Sequence, residues 1–150
     1  IGMALAARLN KDSYRTYVLL GDGETQEGII WEGAMTANKY QLDNLIAIVD
    51  NNGVQLDGTC EEIMPLGSVE EKFTSFGWQV FTCDGHNIAD VTAAIDKAAS
   101  LQGKPSLIVA NTVKGKGVSF MEGKNTWHGR PVDDESYQKA VAELGGVSIV

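Results

Sequence analysis

An acid and an amide stand at the ends of two apolar runs, one helix length apart. Gly21-Asp22-Gly23 follows Tyr17-Val18-Leu19-Leu20, and Asp50-Asn51-Asn52 follows Leu45-Ile46-Ala47-Ile48-Val49. A carboxylate and an amide oxygen suit a hard divalent cation. Magnesium wants six oxygens in an octahedron and commonly takes one or two protein groups plus phosphate oxygens from a ligand. The expected shell is Asp22, the Asn52 amide oxygen, the backbone carbonyl of Val54, two phosphate oxygens of a ligand and one water. Gly21 and Gly23 let the backbone approach a phosphate, and Gly23 leads to a helix start whose free N–H groups favour an anion.

The elements that must position these groups are readable from periodicity. Apolar runs without polar alternation are what parallel strands buried on both faces look like, and Glu27 to Tyr40 is long enough for a crossover helix. This is a βαβ unit, so Asp22 and Asn52 fall at the carboxyl ends of neighbouring strands, where open parallel sheets gather ligands. Before it, Ile1, Met3, Ala4, Leu5 and Leu9 form an apolar helical face with no capping residue ahead, and the helix ends near Asn10-Lys11-Asp12. A strand follows over Thr16 to Leu20. Gly28 and Gly33 inside the second helix imply close approach of another backbone, since glycine there costs about 1 kcal/mol relative to alanine. Ser68 to Ser75 reads as a short helix capped by Ser68 with Glu71 as its capping-box partner. A strand over Trp78 to Cys83, an amphipathic helix over Ile88 to Leu101 with Val91, Ala94, Ile95 and Ala98 inward, a buried strand over Ser106 to Asn111 and a last helix over Asp133 to Leu144 complete the chain. The fold class is α/β: three layers around a mainly parallel sheet, in a single domain spanning residues 1–150.

Charge narrows the ligand class. The net charge is −8, but residues 112–130 carry +3, so the remainder carries −11. An acidic protein with one basic stretch is no nucleic-acid binder and suits a phosphorylated small molecule. Cys60 and Cys83 make neither a metal spacing nor a disulfide framework, and structural filler is the preferred reading of both. With no apolar run of about 18 residues to span a membrane, reduced thiols point to the cytoplasm.

The spaced text carries a family resemblance. GDG, then 27 residues, then Asn51-Asn52, resembles the signature of thiamine-diphosphate enzymes. GDGETQEGIIWEGA, NLIAIVDNNGVQLDG and TVKGKGVSFMEGKNTWHGRP resemble transketolase, above all the amino-terminal subunit of split transketolases. The resemblance implies the thiamin diphosphate-binding fold (PP domain), with thiamine diphosphate and Mg2+ as cofactors and Ca2+ or Mn2+ as possible substitutes. It implies transfer of a two-carbon ketol group from a ketose phosphate to an aldose phosphate. By resemblance, Gly21, Asp22, Gly23, Glu24, Asn52, Val54, Leu56, Lys114 and His128 bind cofactor, with Asp22, Asn52 and Val54 on the metal and Lys114 and His128 at the reacting centre. Leu56 would shield the thiazolium ring from water; ordinary core is the other reading. Imidazole suits proton transfer near neutral pH and can donate to a phosphate.

The same resemblance sets out what this text lacks. In transketolases a preceding region supplies histidines and another domain supplies the pyrimidine-activating glutamate, and neither has an equivalent here. The expectation is therefore a fragment without those upstream residues or the pyrimidine-binding domain, inert alone and active with a carboxy-terminal transketolase subunit or domain, as a dimer or heterotetramer. Glu27 and Glu32 match positions at the family's subunit interface, against a helix-terminal acid and a solvated face. His86, in Asp84-Gly85-His86-Asn87, sits at a strand end, although a turn with a solvated imidazole is the preferred reading.

Two other functions stay open. A deoxyxylulose phosphate synthase-like enzyme shares the GDG, NN and KGKG features, while WHG and NLIAIVDNN favour transketolase. A non-catalytic cofactor-binding or assembly module is the alternative from another class. A dinucleotide-binding domain fails because no Gly-x-Gly-x-x-Gly follows a strand.

Overall fold

Alternation along the central strands decides the layering. The computed structural model describes residues 1–146. Its sheet is wholly parallel, in the order β1-β2-β4-β3, from β1 (Thr16–Gly21), β2 (Leu45–Asn51), β3 (Gln79–Asp84) and β4 (Ser106–Asn111). Successive side chains of a strand point to opposite faces. Leu45, Ala47 and Val49 of β2 and Leu107 and Val109 of β4 accordingly meet one helical layer, built from α1 (Gly2–Asn10), α2 (Gly28–Lys39) and α4 (Val69–Ser75). Ile46 and Ile108 face the other way, onto Ala94 and Ala98 of α5 (Ile88–Ser100). The three-layer α/β/α arrangement follows. A short α3 (Cys60–Ile63) and a terminal α6 (Asp134–Glu143) lie outside these layers.

The first layer is the heavier one. Phe73 of α4 stacks edge-on against Trp78 at 5.1 Å between ring centroids, and the Trp78 indole N–H donates to the Ala34 carbonyl of α2 at 2.9 Å. Both rings are buried, so this pair fastens α2 and α4 to the sheet.

Several sequence expectations change. β1 is an edge strand: Tyr17 is 51% and Leu19 70% exposed, because no described strand covers its outer side. Of the described strands, only β2 and β4 have the double burial that unbroken apolar runs imply. In α1 the inward residues are Ala4 and Ala7 with Leu5 packed beside them as expected, while Met3 and Leu9 point outward. Among the described residues no backbone of another element approaches the glycines of α2: Gly28 has open space around it, and Gly33 faces the Ile1 side chain. Ser68 caps α4 by accepting the Glu71 N–H at 3.0 Å, but Glu71 returns no bond among the described residues. The reciprocal capping box is at α3, between Thr59 and Glu62.

Candidate functional site

The register sets the site. Gly21 of β1 pairs with Asp50 of β2, so both strands leave the sheet side by side and the Asp22 N–H still reaches the Asp50 carbonyl at 3.3 Å. Asp22 then starts a 3-10 turn over Gly23–Gln26, and its buried carboxylate faces the loop after β2. One oxygen, Oδ1, accepts the Gly23 N–H at 2.7 Å and the Cys60 thiol at 3.3 Å; the other, Oδ2, accepts the Gly53 N–H. Donors from three segments therefore orient one carboxylate. The Gly23 N–H, expected to be free for an anion, is occupied by Asp22. Glu24 folds back, its Oε2 accepting the Gly21 N–H at 2.6 Å.

Beyond Asn52 the chain forms a small hairpin. Val54 pairs antiparallel with Thr59, through the Gln55 N–H on the Gly58 carbonyl and the Cys60 N–H on the Gly53 carbonyl, each at 2.9 Å. That pairing turns the N–H and C=O of Val54 away from the hairpin. Its N–H donates to Asn52 Oδ1 at 3.1 Å, while its carbonyl accepts no hydrogen bond among the described residues. A backbone carbonyl without a partner on a buried residue wants a donor or a cation. Together with Asp22 and Asn52 it makes an all-oxygen set, as magnesium prefers. Among the described residues no group of three or more His, Cys, Asp and Glu could hold a metal. An ion here would thus depend on the amide, the carbonyl and a ligand's oxygens. The donor set fits the group expected from sequence.

Leu56, near the tip of the hairpin, is 61% exposed, which excludes the core reading. Asn125 donates its side-chain amide to the Leu56 carbonyl at 3.3 Å, and a Cβ placed on Gly129 would lie 3.3 Å from Leu56 Cδ1. The Trp127-His128-Gly129 turn therefore folds onto the same hairpin that carries Val54. Trp127 is held by its indole bond to the Phe120 carbonyl at 3.1 Å, with Arg130 over its ring at 4.8 Å. His128 itself is exposed, and its imidazole makes no hydrogen bond among the described residues.

Lys114 comes off the end of β4. At its root, Thr112 donates its N–H to the Asn51 carbonyl at 3.2 Å and its hydroxyl to Asp50 Oδ1, tying the Lys114 loop to β2 just before Asn52. Of the four cations between 112 and 130, Lys116 pairs with Glu122, Arg130 with Asp133, and Lys124 donates to the Phe120 carbonyl. The half-buried Lys114 has neither kind of partner among the described residues. No described contact joins the Lys114 or His128 side chain to Asp22; the structure links their loops, not those side chains.

Two contacts escape the sequence reading. Cys60 is no filler: burial first, and then its hydrogen bond to the anionic Asp22, push its thiol up to about 11. His86 is exposed but not merely solvated, since its Nε2 accepts the Val113 N–H at 2.7 Å. Nothing in the local text marks either contact, because both cross between elements. Cys83 is buried in the core as expected. Glu27 and Glu32 are exposed on α2. A cavity of about 500 Å³ along the β1 edge is apolar and holds none of the predicted residues; Asp22, Thr25, Gly53 and Cys60 line a smaller one of about 100 Å³.

A wholly parallel sheet whose strand ends carry the buried Asp22, the hairpin with the exposed Leu56 and the root of the Lys114 loop defines an α/β domain with its candidate site at the carboxyl ends of the strands. The family described as "Transketolase, thiamine diphosphate binding domain" matches residues 3–147, and the chain belongs to it. Over 144 residues it is 46% identical to one of the subunits of the apulose-4-phosphate transketolase of Phocaeicola vulgatus, covering 96% of this chain and 51% of that protein. It is 47% identical to 6-deoxy-6-sulfo-D-fructose transketolase subunit SqwG of a Clostridium species, covering 96% and 52%. The crystal structure of transketolase from Campylobacter jejuni superposes with a TM-score of 0.92 at 31% identity, over 99% of this chain and 24% of that one. The chain spans about half the length of the curated relatives it matches. Among the described residues no helix is long and apolar enough to cross a membrane.

Proposed function

We propose that the chain is the diphosphate-binding part of a transketolase, holding thiamine diphosphate and Mg2+ for transfer of a two-carbon ketol group from a ketose phosphate to an aldose phosphate. The observation that supports this reading is that the Asp22 carboxylate accepts the Gly53 N–H of the loop after β2, beside Asn52 and a Val54 carbonyl that accepts no hydrogen bond among the described residues. Asp22, Asn52 and Val54 would hold the ion, with Ca2+ or Mn2+ as substitutes, and Gly21, Gly23 and Glu24 would shape the approach of the diphosphate. When bound, the cofactor supplies an electron sink for cleaving and forming a carbon–carbon bond. Leu56 presents an apolar side chain that keeps water from the reacting centre. Lys114 Nζ, with no partner among the described residues, would offer its positive charge to phosphate. His128, whose ring nitrogens have no protein partner among the described residues, would donate to phosphate and move a proton at the sugar.

The rest of the site belongs to a complementary pyrimidine-binding chain or domain, and the working unit is a dimer or heterotetramer. Two relatives are named as subunits, which supports such a division. Sugar phosphates of the pentose phosphate pathway are the proposed substrates, and the unpaired thiols of Cys60 and Cys83 accord with a cytoplasmic setting.

Complementation tests the proposal. With a transketolase chain supplying the pyrimidine domain, turnover of a ketose phosphate donor with an aldose phosphate acceptor should appear, and the chain alone should be inert. Full ketol transfer by the chain alone would overturn the division of labour. Turnover with pyruvate and glyceraldehyde phosphate instead would identify a deoxyxylulose phosphate synthase-like enzyme, and cofactor binding without turnover a non-catalytic module.

A further inference from the structure

We propose that His86 is a positioning residue that clasps the Lys114 loop through its ring nitrogen. The root of this loop is gripped from both sides. On the β2 side, Asn51 accepts the Thr112 N–H and Asp50 the Thr112 hydroxyl. On the β3 side, His86 Nε2 accepts the next N–H, that of Val113, at 2.7 Å. The turn that carries His86 is built for the contact. Its own N–H donates to Asp84 Oδ1 at 2.9 Å, and the Gly85 N–H to the Asn111 carbonyl at 2.8 Å. Gly85 lies so close that an added Cβ would be 2.4 Å from Thr112 Cγ2.

An exposed imidazole adds nothing to the core, so holding Val113 is its effect on the structure. An accepting ring nitrogen carries no proton, which fixes the tautomer with the hydrogen on Nδ1. The consequence for function rests on the reading that Lys114 meets the cofactor's phosphates. Three strand ends then fix the origin of that lysine: β2, which also carries the Asn52 loop, β3 through His86, and β4 itself.

Amide hydrogen exchange on the full chain, with His86→Ala and His86→Gln, tests the clasp without cofactor. Glutamine places an acceptor oxygen at a similar reach to Nε2. The Val113 amide should exchange on the order of fivefold faster in His86→Ala, the worth of one neutral hydrogen bond, and near the wild-type rate in His86→Gln. Unchanged exchange in His86→Ala, or glutamine no better than alanine, overturns the clasp. In the protein assembled with its complementary chain, thiamine diphosphate with Mg2+ should bind correspondingly more weakly to His86→Ala and normally to His86→Gln. Equal affinity for both variants and wild type would overturn the positioning role. A wild type that binds no cofactor would instead overturn the proposed function, and the exchange data would still decide the clasp.

Discussion

Replacing Gly23 by alanine asks whether two loops of the site are fitted to each other at atomic contact. The added Cβ would lie 3.0 Å from both Cβ and Oε1 of Gln55. Carbon atoms prefer about 3.5–4.0 Å, so the hairpin carrying Val54 and Leu56 must retreat by roughly half an ångström. Overpacking of this kind costs about 1–3 kcal/mol. Against it stands the smaller entropy of the unfolded alanine chain, worth about 0.4–1 kcal/mol, because Gly23 has an ordinary backbone conformation. The balance is a loss of roughly 1–2 kcal/mol, or a melting temperature lower by about 2–8 °C for a chain of this size. Binding should suffer more, since Val54 and Leu56 are displaced together: an affinity at least about tenfold weaker corresponds to about 1.4 kcal/mol. Gly28→Ala is the control, as nothing lies within 4 Å of it and it begins a helix. It should be neutral or slightly stabilising and bind normally. Calorimetric melting of the free chain and calorimetric titration of cofactor read the two effects. If Gly23→Ala melts and binds like Gly28→Ala, the closeness of the two loops has no consequence and the reasoning fails.

Two further outcomes follow from named contacts. Trp78→Phe removes the indole bond to Ala34 and part of a buried ring, and chemical denaturation should show a loss of about 1–3 kcal/mol with an unchanged m-value; a variant as stable as wild type would mean that this pair does not fasten α2. Cys60, its thiol pushed up to about 11 by burial and then by Asp22, is nearly all protonated at pH 8, so iodoacetamide should modify it on the order of a hundredfold more slowly than an unhindered thiol, and rates should rise with pH well beyond the range where ordinary thiols level off; modification at an ordinary rate would deny the burial of the thiol beside Asp22.

The sequence carries the strands and crossovers because their causes are local. An unbroken apolar run such as Leu45 to Val49 states burial on both faces by itself, and Asn87, Ser68 and Asp133 announce helix starts through side chains that reach backbone N–H groups two or three residues on. Tyr17 to Leu20 reads in the same way yet lies at an edge, since strand order is a property of the whole sheet. The positions of Asp22 and Asn52 follow from the βαβ rule, and the outward carbonyl of Val54 follows from the short hairpin. The rest required the fold. Cys60 reaches Asp22 across 38 residues and His86 reaches Val113 across 27, and no periodicity connects such pairs. Gly129 over Leu56 is of the same kind: only the folded loops show that the Trp127-His128-Gly129 turn and the hairpin after Asn52 form one wall.

The metal site is tested by calorimetric titration of thiamine diphosphate, with and without Mg2+, into wild type and Asp22→Ala, in the chain alone and assembled with its complementary chain. Binding should require Mg2+ in the assembled protein and be lost in Asp22→Ala. Mg2+-independent binding, or binding that Asp22→Ala retains, would contradict the proposed metal site.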